Sequence, residues 1–158
     1  MWQKIKPFLI SILLSLGVGA LSAFLTRNSM DVYNSIKLPP LAPPSFLFPI
    51  VWSILFLLMG ISAALVWKNR EENREAARRG IGRYAASLVV NFLWSILFFN
   101  LREFLFSFVW LILLLVLIQR TISYYKKVSP AAAYLQIPYF LWVIFAGYLN
   151  FAIYVLNR

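Results

Sequence analysis

The 158-residue sequence holds no cysteine and no histidine. Disulfides, thiolate nucleophiles and imidazole bases are thereby excluded, together with the usual ligands of zinc, copper and haem iron. No metal site and no resident cofactor is expected. The lack of cysteine says nothing about redox compartment. Acidic residues are nearly as scarce, with five Asp and Glu against fifteen Lys and Arg and a formal net charge of +10. No Asp, Glu, Lys or Arg falls in the middle of an apolar run. That argues against a proton-driven pump, a voltage sensor or a channel with a charged ring. It also leaves no visible acid–base pair or nucleophile for catalysis. Only 13% of the residues are charged, where soluble domains average about 25%.

Apolar sequence takes up the room. Hydrophobic residues make up 62% of the chain and the mean hydropathy is +0.78. Both values place it in the membrane class. The basic residues cluster between apolar runs, so they report membrane topology and not nucleic-acid binding. A spanning helix needs about 20 mostly apolar residues. Charges cut the chain into five such runs: Pro7–Thr26, Leu38–Trp67, Tyr84–Leu101, Phe104–Gln119 and Val128–Asn157. The fourth is long enough if it continues to Tyr125 with Arg120 reaching back to the interface. The expected fold is an all-α membrane protein, a single domain over 1–158 built as a bundle of five transmembrane helices. Their approximate limits are 7–26, 46–67, 80–101, 104–125 and 131–156, with a lid loop over 27–45. The basic, apolar N-terminus could pass for a secretion signal, but its length and the four runs after it make it a retained first helix.

Five spans put the termini on opposite sides. The side of the N-terminus holds Lys4, Lys6, Lys68, Arg70, Arg74, Arg78, Arg79, Arg83, Arg120, Lys126 and Lys127. The other holds Arg27, Lys37, Arg102 and Arg158. The excess predicts a cytoplasmic N-terminus. The 30 uncharged residues Leu38–Trp67 form the central stretch, opening with Pro39, Pro40, Pro43, Pro44 and Pro49. Proline-rich chain loses little entropy on ordering, so this loop suits a fixed lid; an ordinary solvated connector is the plainer reading. The charged stretch 68–80, with Glu71–Arg74 and Glu75–Arg78 or Arg79 at helical spacing, reads as a solvated helical extension. Pro138 is expected to kink the last helix.

Within the spans, amides, hydroxyls and indoles carry the information. Spacing puts Ser87, Asn91, Trp94 and Phe98 on one face of the third helix. Trp142, Phe145, Ala146, Leu149 and Asn150 share a face of the fifth, Trp52, Phe56, Met59 and Gly60 one of the second, and Ser15, Gly19, Ser22 and Ala23 one of the first. If these faces converge they line a pocket suited to a large, flat, mostly apolar ligand. Two plainer readings stand beside that one: Asn91 as glue between helices, and the aromatics as a lipid-facing belt. Trp2, Trp67 and Trp110 are the expected belt residues. Gly19/Ala23, Gly60/Ala64 and Gly82/Ala86 permit close helix approach, and the last pair could mediate dimerisation.

These residues stand in a recognisable order. Leu38-Pro39, Pro43-Pro44, Pro49-Ile50-Val51-Trp52, Leu58-Met59-Gly60 and Leu65-Val66-Trp67 come first. Asn91-Phe92-Leu93-Trp94-Ser95, Val128-Ser129-Pro130-Ala131-Ala132, Pro138-Tyr139 and Trp142 through Asn150 come after them. Across nearly the whole chain the sequence resembles the translocator protein family, also called tryptophan-rich sensory proteins or peripheral benzodiazepine receptors, and in particular its bacterial members. The resemblance implies five helices, a homodimer in the lipid bilayer, and a pocket capped by the first loop. It implies binding of porphyrins such as protoporphyrin IX and of isoquinoline carboxamide or benzodiazepine-type ligands. By position the family's pocket residues fall on Tyr33, Trp52, Phe56, Asn91, Trp94, Trp142, Phe145, Ala146 and Leu149. Light- and oxygen-dependent breakdown of protoporphyrin, described for bacterial members, would involve Trp52 and Trp142 as catalytic residues. Two departures stand out. Phe151 and Val155 replace the Tyr and Arg of the vertebrate cholesterol motif, which calls sterol binding into question; only the looser Leu149…Tyr154…Arg158 pattern remains. Ser45 stands where many relatives carry an arginine.

Three functions are compatible with these residues: a porphyrin receptor or sensor, a porphyrin-degrading enzyme, and a porphyrin transporter. The third has least behind it, because no internal repeat is visible.

Overall fold

The computed structural model describes residues 1–27 and 31–158. Its long helices are α1 (Trp2–Thr26), α3 (Leu47–Lys68), α4 (Arg74–Ser95), α5 (Phe104–Lys126) and α6 (Pro130–Asn157). A short helix, α2 (Asp31–Ser35), lies in the loop before α3. With α4 prolonged to Asn100, these make five helices long and apolar enough to cross a membrane. Residues 28–30 of the expected lid lie outside the described residues.

Two starts differ from the sequence reading for local reasons. α1 begins at Trp2 instead of residue 7, with Pro7 inside it. The missing Pro7 N–H removes one bond, to the Gln3 carbonyl, near an end that is weakly held in any case. α4 begins at Arg74 instead of residue 80. The Asn73 side chain caps it by accepting the Ala76 N–H at 3.0 Å, and Glu75 sits in the first turn, favourable to the helix dipole. Only a single 3-10 turn, Arg70–Glu72, joins α3 to that cap. The ion pairs Arg74–Glu71 and Arg79–Glu75, each at 2.6 Å, form at the spacing read from sequence and remain exposed, where such pairs add little. α6 starts on a Ser129 cap with Pro130 in its first turn.

α1 rests mainly on α3, which also packs on α6; α5 lies against both α4 and α6. Met59, Leu111, Leu114, Ile118, Val143 and Ile153 form the fully buried centre. A Cβ on Gly60 would stand 2.6 Å from the Ile12 Cα, so α1 and α3 touch backbone to backbone. Ser62 donates to the Ala132 carbonyl (2.7 Å) and accepts from Gln136 Nε2 (3.2 Å), tying α3 to α6. Among α1's residues only Ser15 and Thr26 are buried, so most of this helix is left to lipid. Trp2 and Trp67 are exposed as a belt requires, but Trp110 is not a belt residue. It is half-buried against the core, and its indole N–H donates to the Val90 carbonyl at 2.8 Å. Most indoles withdrawn from solvent find such a partner.

Candidate functional site

A cavity of about 380 Å³ lies between the C-terminal half of α1, the start of α3 and the end of α4. Small-molecule sites run from about 300 to 1,000 Å³. α3 presents Phe48, Trp52 and Phe56 to it at steps of four; α4 contributes Asn91 and Trp94; α1 contributes Gly19, Ser22 and Ala23. Gly19 is what lets α1 close the wall, since a Cβ there would stand 2.6 Å from the Phe56 ring. A narrower crevice of about 40 Å³ adjoins it, lined by Tyr33, Phe98, Ala146, Leu149, Asn150 and Ile153. Phe48, Trp52, Trp94 and Phe99 line both spaces. These four rings are therefore the partition between them.

The sequence-derived site residues thus divide. Trp52, Phe56, Asn91 and Trp94 share the cavity, and Tyr33, Ala146 and Leu149 share the crevice beside it. Trp142 and Phe145 line neither. The Trp142 ring meets Phe48 edge-on at 6.0 Å and Phe145 at 5.5 Å, so it stands behind the wall. Its indole N–H is buried with no partner among the described residues. Of the other face residues, Met59 is in the core, Gly60 is under Ile12, and Ser15 is bonded to Tyr84 Oη at 2.6 Å, away from this cavity.

The two mid-bundle amides have different work. Asn150 is fully engaged: its Oδ1 accepts from Trp94 Nε1 and from Ser107 Oγ, both at 3.0 Å, and its Nδ2 donates to the Phe104 carbonyl at 2.6 Å. It is glue, and it orients Trp94 so that the ring, not the N–H, is offered to the cavity. Asn91 spends its Nδ2 on Tyr139 Oη at 3.2 Å and is also a lining residue. Its amide and the Ser95 hydroxyl are the polar part of the α4 wall.

A π-helical stretch, Ile96–Asn100, closes α4, with the Leu101 N–H reaching back to the Ile96 carbonyl at 3.0 Å. Such a stretch widens the turn and rotates the residues C-terminal to it. Phe98 stacks on Trp94 at 5.4 Å while Phe99 meets the same ring edge-on at 6.1 Å. Phe99, four residues beyond the lining Ser95, joins the cavity. Neither it nor Phe48 stands among the sequence-derived site residues, although each spacing of four, from Ser95 and from Trp52, is plain in the sequence.

The loop above is tied to the bundle. Tyr33 Oη donates to the Pro43 carbonyl at 2.6 Å, and Tyr148 Oη to that of Pro40 at 2.8 Å. Asn157 accepts the Lys37 N–H and donates to the Lys37 carbonyl, both at 3.0 Å. Burial pushes the Tyr33 phenol above its ordinary range. Leu41, at φ 70°, takes the left-handed turn between these anchors.

Known proteins place this architecture. The family model described as TspO/MBR family matches residues 11–156. The chain is 38% identical over 160 residues to the Tryptophan-rich protein TspO of Chlorobaculum tepidum, covering 98% of each chain. It is 37% identical over 156 residues to the protein of the same name from Archaeoglobus fulgidus, covering 98% of this chain and 99% of that one. To the Translocator protein of Bos taurus it is 34% identical over 149 residues, covering 94% and 88%. With matches of that length to bacterial, archaeal and mammalian relatives, on a bundle of five membrane-spanning helices, this multi-pass integral membrane protein belongs to the TspO/MBR family.

Proposed function

We propose that the protein is a porphyrin receptor or sensor that holds a flat, largely apolar tetrapyrrole, protoporphyrin IX as representative, in the cavity beneath the lid. The observation that carries this is the partition: Phe48, Trp52, Trp94 and Phe99 face a cavity of about 380 Å³ on one side and a crevice on the other. Rotation of those rings would join the two into one slot walled by aromatic faces, the shape and chemistry that a macrocycle needs. Isoquinoline carboxamide and benzodiazepine-type compounds suit the same slot and serve as competing probes. Quenching of tryptophan fluorescence by protoporphyrin IX measures the affinity. Trp52→Ala should weaken binding by about 1–3 kcal/mol, roughly five- to a hundredfold. Trp142→Phe, one layer behind, should change it less than about threefold. Unchanged affinity in Trp52→Ala would sink the proposal.

A second reading is light- and oxygen-dependent breakdown of the bound porphyrin. The unbroken ring contact from cavity-lining Phe48 to Trp142 favours it. It requires a defined product formed with turnover in light, lost in Trp142→Phe while dark binding persists. We also infer a cytoplasmic N-terminus from the eleven basic residues on that side against four on the other. Labelling of Asn69→Cys, the only thiol in a chain without cysteine, by an impermeant reagent in intact cells would contradict it.

A further inference from the structure

At the other end of α1 lies a larger hollow, of about 750 Å³, between α1, the last turns of α3 and the first half of α4. It exists because α1 leans on α3 and touches α4 only sparingly. Its walls are apolar, with Ile10, Leu14, Ala63 and Leu88 along them. The Ser15–Tyr84 hydrogen bond crosses from α1 to α4 at its inner end. From Leu16 onward α1 belongs to the aromatic cavity instead.

The mouth differs sharply from the walls. Lys4, Lys6, Lys68 and Arg70 line it, and no acidic residue does among the described residues. The nearest carboxylate is exposed Glu71, whose Oε1 is 3.9 Å from Arg70 Nε. Arg70 is held in place: it donates to the Trp67 carbonyl at 2.7 Å and its guanidinium lies 4.3 Å over the Trp67 ring. This is an apolar trough with a cationic end, sited where the charged ends of the helices leave the membrane.

We propose that the trough holds an anionic phospholipid of the adjoining leaflet. Its phosphate lies among Lys4, Lys6, Lys68 and Arg70, and one acyl chain runs along Ile10, Leu14 and Ala63. The charge calls for an anion and the walls call for hydrocarbon, so a free phosphate answers only half of the site. A second copy of the chain answers it badly. Two copies related by a two-fold axis along the membrane normal meet at equal depth and would oppose their cationic mouths. The site is independent of the porphyrin reading, and either can fail alone.

The test uses the full-length protein in phosphatidylcholine vesicles doped with chain-brominated phosphatidylglycerol or chain-brominated phosphatidylcholine. Quenching of Trp67, a groove residue, is read as the difference between wild type and Trp67→Phe. Brominated phosphatidylglycerol should quench at clearly lower mole fraction than its neutral counterpart. A basic residue at an anionic surface is worth about fivefold in affinity. The combined variant Lys4→Gln/Lys6→Gln/Lys68→Gln/Arg70→Gln should therefore lower the preference by at least about tenfold. Ala85→Phe, which fills the trough from an exposed position on α4 and leaves every charge in place, should lower it too. Far-ultraviolet helix content checks that both variants fold. Four results would overturn the proposal: equal quenching by the two lipids, a preference that survives the four substitutions, one that survives Ala85→Phe (a diffuse surface effect), or release by millimolar inorganic phosphate. High-yield disulfide linkage of two Ala63→Cys chains in the bilayer would overturn it as well, by putting a second copy in the groove.

Discussion

Two hollows flank Ser15 of α1. The one toward Thr26 is walled by Phe48, Trp52, Phe56 and Trp94, near a loop tied to α6 at Pro40 and Lys37. The one toward Trp2 has aliphatic walls, a mouth of four cations and no roof. One helix supplies a wall of each, so the difference comes from its neighbours. Rings and small residues make a hollow whose shape suits a flat, apolar molecule. Aliphatic walls and a cationic mouth make one whose chemistry suits an anion with a hydrocarbon chain. Four experiments put this contrast at risk.

Gly60→Leu should have the largest effect. The obstructing atom is the Ile12 Cα, part of the backbone, so α1 must be levered off α3. We expect a loss of about 3 kcal/mol or more, seen in thermal unfolding in detergent, and loss of ligand binding by both hollows. At Gly19 the obstruction is the Phe56 ring, which can swing into the cavity. Gly19→Ala should cost only about 1 kcal/mol while weakening porphyrin binding alone. Equal destabilisation by the two would remove the distinction between a rigid and a yielding contact.

Asn150→Ala comes next. It removes three bonds and strands Trp94 Nε1, while Ser107 Oγ and the Phe104 carbonyl keep each other at 3.0 Å, at a cost of about 2 kcal/mol. Asn91→Ala loses one bond and should cost about 1 kcal/mol or less, with a larger relative fall in porphyrin affinity. A smaller stability loss at Asn150 than at Asn91 would reverse their assigned roles.

Asn157→Ala frees the Lys37 backbone and should cost only about 0.5–1 kcal/mol in unfolding, because the site is exposed. The porphyrin off-rate should nevertheless rise several-fold, while lipid quenching of Trp67 stays the same.

The smallest effect is a pH dependence. Tyr33 is neutral at pH 7, and burial raises its pKa in the closed lid above the value of about 10 that an exposed tyrosine has. Its contribution is whole below that ordinary value. It falls as pH rises from there toward the raised value, where the exposed phenol ionises and the buried one does not. Proteolysis of the loop should accelerate across that window in the wild type and show no such step in Tyr33→Phe.

Much of the fold was legible because it is local. Apolar runs of membrane length and the Glu–Arg spacing after α3 act within a few residues; the Asn73 cap is as local, but the charged stretch around it masked the start of α4. The site was legible in part. Trp52, Phe56, Asn91 and Trp94 share helical faces, and those faces do converge. Phe99 lies four residues beyond Ser95, as Phe48 lies four before Trp52, so spacing reached both although neither was singled out. Trp142 has the right face for the pocket; only the packing of Phe48 in front of it shows that it sits one layer back. The basic residues of the α1 end read as topology alone, since nothing in the order of residues says that α1 stands off from α4.

Five spans, their order and their polar ends thus came from the sequence without help. A bilayer judges each 20-residue segment nearly independently, through its own hydrophobicity and its own internal hydrogen bonds. Tertiary structure alone decided which faces meet, which amide is consumed by packing and which lines a cavity, and where the bundle stays hollow. Those outcomes rest on contacts between helices, such as Gly60 on Ile12, Asn150 with Trp94, and Lys37 with Asn157. No span carries them alone, because each depends on the shape of its partner.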